Sequence, residues 1–215
     1  DLRVEEGVTD ARVWEEGHDV GDVSLPMGGR HNLLNALAAA AASRALGAAW
    51  SDIIRALADF RGVGRRFQLV GEARGVIVID DYAHHPTEVA AALQAARGMY
   101  EGRRLVAVFQ PHLYSRTRDF VRGFGEALAI ADKVWLTDIF PAREAPIPGV
   151  DGHTLLTSVT EAGAFDTSYV PYLDDLPAAV AADLEEGDVV LTLGAGSIER
   201  TGASLPDEIK EPARA

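Results

Sequence analysis

The sequence predicts an α/β protein built on a doubly wound, mostly parallel β-sheet. Three observations carry that expectation. From Phe67 onward, short apolar runs rich in Val, Ile and Leu alternate with helix-patterned stretches, the order expected of strands joined by helical crossovers. The run at 76–80 reads as a buried-type strand and that at 104–109 as a strand. Polar and charged residues follow three successive strands, and open sheets of this kind bind ligands in the crevice at the carboxyl ends of their strands.

Taken in order, residues 1–30 read as short strands and turns, with Gly7, Gly17, Gly21, Gly28 and Gly29 as breakers. Residues 32–46 are a strong helix signal that Gly47 terminates. A second helix covers 50–60, with Ser51 as its cap. The glycine- and arginine-bearing stretch 61–67 marks a domain boundary. Beyond it, strands at 76–80, 104–109, 133–137 and 188–193 alternate with helices at 86–98, 117–131 and 176–184. A weaker helix near 154–162 and a short strand at 168–171 complete the pattern. Gly194-Ala195-Gly196-Ser197 reads as a tight turn near the site, because the third glycine of a dinucleotide fingerprint is missing.

With 215 residues, 47% hydrophobic and 25% charged, the chain holds one large domain, or one complete domain and part of another. No apolar run approaches the roughly 20 residues needed to cross a bilayer. The first residues show no initiator Met, basic region or apolar region of a signal peptide, and the abrupt, strand-like beginning suggests a cut piece. The absence of cysteine excludes disulfides and thiolate metal sites, and fits the cytosol. A net charge of −13 argues against non-specific nucleic-acid binding. It leaves room for a local basic pocket that takes a nucleotide or a carboxylate.

The polar groups at the strand ends are Asp81-Tyr82-Ala83-His84-His85-Pro86, then Gln110-Pro111-His112-Leu113-Tyr114-Ser115-Arg116-Thr117-Arg118, then Asp138-Ile139-Phe140. Each has a structural alternative. Asp80 or Asp81 suits a helix cap or a bond to nearby amides. With Pro86 in the first helical turn, His85 lies beside the helix start and Asp81 is free to face the crevice and a ligand or magnesium-bound water. His84 and His85 read equally as part-buried structural histidines, and which of each pair faces the site stays open. Arg116, Arg118 and Arg122 cannot all share one helix face. Cations at a helix start oppose its dipole, so a bound anion near Arg116 would offset that cost. Asn32 and Asn35 lie one turn apart at a helix start, where an N-cap and a second backbone-bonding Asn is the equal alternative. No Gly-x-x-x-x-Gly-Lys-Ser/Thr segment, His-x-x-x-His, nucleophile elbow or metal-ligand cluster occurs.

These pieces, in this order, resemble the Mur ligases, the ATP-dependent amide-forming enzymes of peptidoglycan precursor synthesis. The resemblance rests on His31-Asn32-Leu33-Leu34-Asn35-Ala36, Arg65-Arg66-Phe67 and Asp81-Tyr82-Ala83-His84-His85-Pro86-Thr87-Glu88. Residues 109–118, and Asp138-Ile139-Phe140 running on to Pro146-Ile147-Pro148-Gly149-Val150-Asp151-Gly152, are similar to the branch that adds L-alanine. It implies a Rossmann-like carboxy-terminal domain over about 67–215, preceded by the end of a central ATPase domain over 1–66. It also implies ligation of L-alanine to the lactyl carboxylate of UDP-N-acetylmuramic acid through an acyl phosphate, with ATP and Mg2+. By the same resemblance, Asn32 and Asn35 lie near adenine, Arg66 contacts ATP from the hinge, and Asp81 holds ribose or a magnesium-bound water. His84 lies close to the reacting centre; Tyr82 lines the substrate site; His112, Tyr114 and Arg116 orient the alanine end. Arg116 is the residue expected on the alanine carboxylate, because a guanidinium matches a carboxylate bidentately.

Leu113 stands where the family often has Arg. The resemblance places the UDP-sugar domain, the phosphate-binding loop and the magnesium ligands outside these residues, so the chain alone is expected to be inactive. Its partners are then the missing amino-terminal regions of the same enzyme, with no nucleic acid and no membrane. A ligase that joins a ready-made tripeptide to UDP-N-acetylmuramic acid is the nearest rival. A non-catalytic nucleotide- or partner-binding module is the rival of another class, and an oxidoreductase resting on Gly194-Ala195-Gly196 is the most distant.

Overall fold

The computed structural model describes residues 2–5, 8–27, 30–60, 62–164 and 166–210, without the side chains of 2–5 and 30–31. The expected breakers Gly7, Gly28 and Gly29, and Arg61 at the expected boundary, lie outside the described residues. The chain divides into two compact units, Asp1–Val63 and Gly64–Ala215.

In the first unit, β1 (Leu2–Glu5), β2 (Val8–Glu15) and β3 (His18–Leu25) form an antiparallel sheet in sequence order. Glu16 and Gly17, with φ of 49° and 82°, close the β2–β3 hairpin; two left-handed residues match the twist of paired strands. β2 alternates buried Thr9, Ala11 and Val13 with exposed Asp10 and Arg12, so one face is covered. α1 (Arg30–Ala45) buries Leu33, Ala36 and Ala40 at helical spacing. Gly47 follows at φ 91°, the left-handed residue that ends a helix. α2 (Trp50–Ala58) begins one residue before Ser51: Ala49 is its N-cap and no side chain caps it.

The second unit is a six-stranded sheet of order β4-β5-β9-β6-β7-β8. The strands are β4 (Gln68–Ala73), β5 (Val76–Asp81), β6 (Leu105–Phe109), β7 (Lys133–Leu136), β8 (Thr167–Tyr169) and β9 (Val189–Leu193). β4 is an antiparallel edge and every other pairing is parallel. The helices are α3 (Pro86–Met99), α4 (Tyr114–Leu128), α5 (Gly152–Glu161), α6 (Leu176–Asp183) and α7 (Glu199–Lys210). Period-2 alternation divides the strands between two cores. Ala107, Phe109, Leu191 and Leu193 pack with Leu93, Phe124, Leu128 and Leu155 of α3, α4 and α5. Val106, Val108 and Val190 pack with Leu176 and Val180 of α6 and Leu205 and Ile209 of α7. This is the doubly wound architecture expected from the sequence.

In the second unit three elements differ from expectation. β4 and α7 had no sequence signal: β4 carries a register shift between Leu69 and Gly71, and α7 contains Gly202 and Pro206, both helix breakers. Gly202 is required there, because a Cβ would meet Thr192 Oγ1 at 2.6 Å. α4 begins at Tyr114 rather than Thr117, so Arg116 lies in its first turn. Among the described residues no helix is long and apolar enough to cross a membrane.

Candidate active site at the carboxyl ends of the strands

Parallel pairing puts the carboxyl ends of β5, β9, β6 and β7 on one edge of the sheet, and the polar residues singled out in the sequence meet there. At β5, Asp80 Oδ1 accepts from the Thr192 hydroxyl (2.7 Å) and Oδ2 from Arg65 Nε (2.9 Å). Arg65 Nη2 donates to the Gly194 carbonyl (2.6 Å), its Nη1 pairs with Glu199 (2.9 Å), and its guanidinium lies 5.0 Å from the Tyr82 ring centroid. The Arg65 carbonyl accepts from the Tyr82 amide (2.7 Å). Arg65 thus ties the ends of β5 and β9 to the start of α7, and it does so from a left-handed backbone, φ 61°. Sequence reasoning singled out its neighbour Arg66, since nothing local distinguishes two adjacent arginines. Arg66 is exposed, its guanidinium 5.6 Å from the Tyr82 ring centroid, with no carboxylate in ion-pair distance among the described residues.

Asp81 is buried, and both of its oxygens are engaged: Oδ2 with the Phe67 amide and Oδ1 with the Ala83 amide, each at 2.7 Å. Burial raises its pKa, opposed by those two amides. His85 is the N-cap of α3 and forms a capping box with Glu88, which leaves His84 as the histidine turned toward β6.

The neighbours of the two imidazoles that approach each other assign their protons to different nitrogens. His84 Nδ1 lies 2.9 Å from the Tyr82 carbonyl and 3.3 Å from Glu88 Oε2. Both of those oxygens only accept, so Nδ1 holds the proton and Nε2 of the neutral ring keeps a lone pair. His112 Nδ1 lies 3.3 Å from Arg116 Nη1. A guanidinium only donates, so here Nδ1 supplies the lone pair and Nε2 carries the proton. The ring centroids are 6.2 Å apart, edge to face. Burial, then Arg116 and His84, lower the His112 pKa, keeping it neutral at physiological pH.

The end of β7 completes this wall. His112 stacks on Phe140 at 5.5 Å. The main chain laces the two segments: Phe140 N donates to the Pro111 carbonyl (2.8 Å) and Leu113 N to the Phe140 carbonyl (2.9 Å). Leu113 sits at φ 72° just before α4. Tyr114 opens the helix, half-buried. Arg116 has no carboxylate in ion-pair distance among the described residues, whereas Arg118 and Arg122 are exposed and paired with Asp119 and Glu126. Asp138 accepts from the Tyr169 hydroxyl. Gln110, to which the sequence assigned no role, holds the β9–α7 turn: its Oε1 accepts from Ile198 N (3.1 Å). The glycines of that turn allow the approach, since a Cβ on Gly196 would meet Gln110 Oε1 at 2.5 Å and Phe140 Cγ at 2.7 Å.

Among the described residues no group of three His, Asp or Glu could hold a metal ion. Asn32, half-buried, and Asn35, exposed, stand on α1 of the first unit.

The family model for the Mur ligase, glutamate ligase domain matches residues 65–196. The chain is 50% identical over 191 residues to the UDP-N-acetylmuramate–L-alanine ligase of Oleidesulfovibrio alaskensis, covering 89% of this chain and 42% of that protein. It is 48% identical to the ligase of the same name from Cutibacterium acnes, covering 93% of this chain and 42% of that one. Among solved structures, the UDP-N-acetylmuramate–alanine ligase of Thermotoga maritima superposes with a TM-score of 0.78 at 30% identity, over 96% of this chain and 44% of its own. A murein peptide ligase from Psychrobacter arcticus, 20% identical, shares the fold with a TM-score of 0.71, over 100% of this chain and 45% of its own. The chain therefore spans less than half the length of these relatives. Its matched residues and its strand-end site place it in the Mur ligase family.

Proposed function

We propose that the chain is the carboxy-terminal portion of a UDP-N-acetylmuramate–L-alanine ligase, and that the His112–Arg116 wall receives the amino acid. The observation that carries this reading is Arg116: half-buried in the first turn of α4, oriented by His112, and without a carboxylate of its own among the described residues. A planar guanidinium so placed suits a small carboxylate, which would also offset the cost of a cation at a helix start. The name shared by relatives at 42–50% identity supports L-alanine over a tripeptide as the acceptor.

In this reading ATP, the co-substrate, converts the lactyl carboxylate of UDP-N-acetylmuramic acid to an acyl phosphate. The alanine amine attacks its carbonyl carbon and phosphate leaves. Arg116 holds the alanine carboxylate, His112 donates from Nε2, and Tyr114 shapes the approach. Arg66, exposed and free of ion pairs among the described residues, suits the ATP phosphates, with Tyr82 beside it. The assignment of Asn32 and Asn35, on the first unit, to the adenine rests on the family resemblance alone. Asp81, with both oxygens on main-chain amides, serves the nucleotide by holding Phe67 and Ala83 in place. It fits magnesium only through water, and no step here is routed through the metal. The loop that cradles phosphates is absent from the 215 residues, so these residues alone should show no turnover.

The test is phosphate release by the polypeptide extended to its natural start, given ATP, Mg2+ and UDP-N-acetylmuramic acid. Release that depends on L-alanine supports the reading. Release with the tripeptide only would make the protein the recycling ligase, and release with neither would leave a binding module.

A further inference from the structure

The opposite proton placement on His84 and His112 points to a division of labour. We propose that His84, through Nε2, accepts the proton that the alanine ammonium must lose, and that His112 cannot take that role. This inference rests on the function proposed above and adds the proton path to it.

The ammonium form of an amino acid has no lone pair with which to form a bond. One proton must leave before the nitrogen can attack the acyl phosphate; a second leaves as the amide forms. The base must therefore present a free lone pair close to the amine. Among the imidazoles at this edge, His85 is committed to capping, its Nδ1 facing the Thr87 amide at 3.4 Å, and it packs on Phe120. The His112 lone pair at Nδ1 already accepts from Arg116. His84 alone has its Nδ1 proton fixed, on the Tyr82 carbonyl and Glu88, and its Nε2 uncommitted among the described residues.

Distance agrees with chemistry. An α-amine is two bonds from its carboxylate carbon. An alanine held on Arg116 beside His112 therefore has its nitrogen two bonds from that carboxylate carbon, and the His84 ring centroid lies 6.2 Å from that of His112. Glu88 is placed to stabilise the imidazolium that forms, as the partner of Nδ1. The charged and titratable groups facing His84 are thus Glu88 from α3, Tyr82 from the same loop, and His112 with Arg116 from the end of β6 and the start of α4.

The step balances as follows. The N–H pair of the ammonium becomes the nitrogen lone pair, and the proton goes to His84 Nε2. The nitrogen then bonds to the acyl carbon, the carbon–oxygen bond to phosphate breaks, and phosphate leaves with that electron pair. The remaining extra proton passes to the departing phosphate or to water, and His84 returns its own to water.

Two measurements test this. The first reads histidine side-chain nitrogen chemical shifts of the 215-residue chain at pH 7.5, assigned with His84→Asn and His112→Asn. Nδ1–H at His84 and Nε2–H at His112 are expected; the reverse at either ring overturns the assignment. The second is steady-state phosphate release by the whole ligase with L-alanine varied. Asn reproduces the Nδ1–H donor but not the Nε2 acceptor. His84→Asn should therefore lower kcat by about 100-fold, the usual range for a general base, change the L-alanine KM less than threefold, and abolish the acid limb of the kcat–pH profile. His112→Asn should raise that KM about tenfold and leave the acid limb in place. A His84→Asn enzyme with wild-type kcat, or an acid limb lost only with His112, sinks the inference while the ligase reading stands. Wild-type release indifferent to L-alanine would overturn both.

Discussion

Glu144 caps a helix to which it does not belong. Its carboxylate accepts from the Ser115 amide (2.9 Å) and from the Ser115 hydroxyl, in the first turn of α4, where Leu113 offers no capping side chain. Those bonds, with Arg116 nearby, hold its pKa below the usual carboxylate range. Glu144→Ala should lower the urea midpoint of unfolding, because the first turn of α4 loses its cap. Because Ser115 adjoins Arg116, the L-alanine KM of the whole ligase should rise severalfold.

Arg116→Ala removes the charge-assisted contacts proposed for the alanine carboxylate, each worth about 1.5–3 kcal/mol. The L-alanine KM should rise by roughly 10- to 100-fold, with the ATP KM little changed. Arg118→Ala, which breaks only an exposed pair with Asp119, should leave both near wild type. Equal effects from the two substitutions would show that Arg116 has no special place.

Arg65→Ala leaves Asp80, only 6% exposed at its side chain, with the Thr192 hydroxyl as its remaining partner. Stranding a buried charge costs about 3 kcal/mol, so the urea midpoint should fall clearly. Arg66→Ala, at an exposed position, should cost less than about 0.5 kcal/mol while weakening ATP binding. Stability and nucleotide affinity would thus separate onto adjacent arginines.

His112 has a folded-state pKa below its ordinary value of about 6.5. The unfolded chain therefore binds the proton first, and stability falls as pH drops from about 6.5 through the folded value. Protonation also removes the lone pair that receives Arg116. Between pH 7.5 and 5.5 the wild-type protein should lose more stability than His112→Gln. The groups acting on this imidazole are Arg116 and His84, which lower its pKa, and Glu144, which raises it.

The doubly wound sheet and the edge that holds the candidate site were legible because β5, β6, β7 and β9 are short apolar runs, three of them followed by charged or histidine-bearing loops. The elements without a local signal are set by contacts distant in sequence. β4 reads poorly because an edge strand with a bulge at Gly71 has no strict alternation. α7 reads poorly because Gly202 answers to Thr192 across a helix–strand contact, and Pro206 sits inside the helix. Site residues within a strand-end loop, such as His84, His112 and Arg116, could be proposed from the chain order. Arg65 stands in the Arg65-Arg66-Phe67 segment but could not be told from Arg66, and Glu144 could not be proposed at all, since their partners lie 15 and 29 residues away.

The place of β9 has a consequence for how this chain is made. Being central yet last in sequence, it leaves β5 and β6 unjoined until residue 193 has left the ribosome. At roughly 5–20 residues per second, the strands from β4 to β8 wait several seconds with two bare edges. Such edges are templates for pairing with other chains, so premature termination anywhere before β9 should yield insoluble product rather than a smaller folded protein. The glycine turn at 194–196 then locks the final strand through Arg65 and Gln110, fastening the sheet and completing the candidate site together.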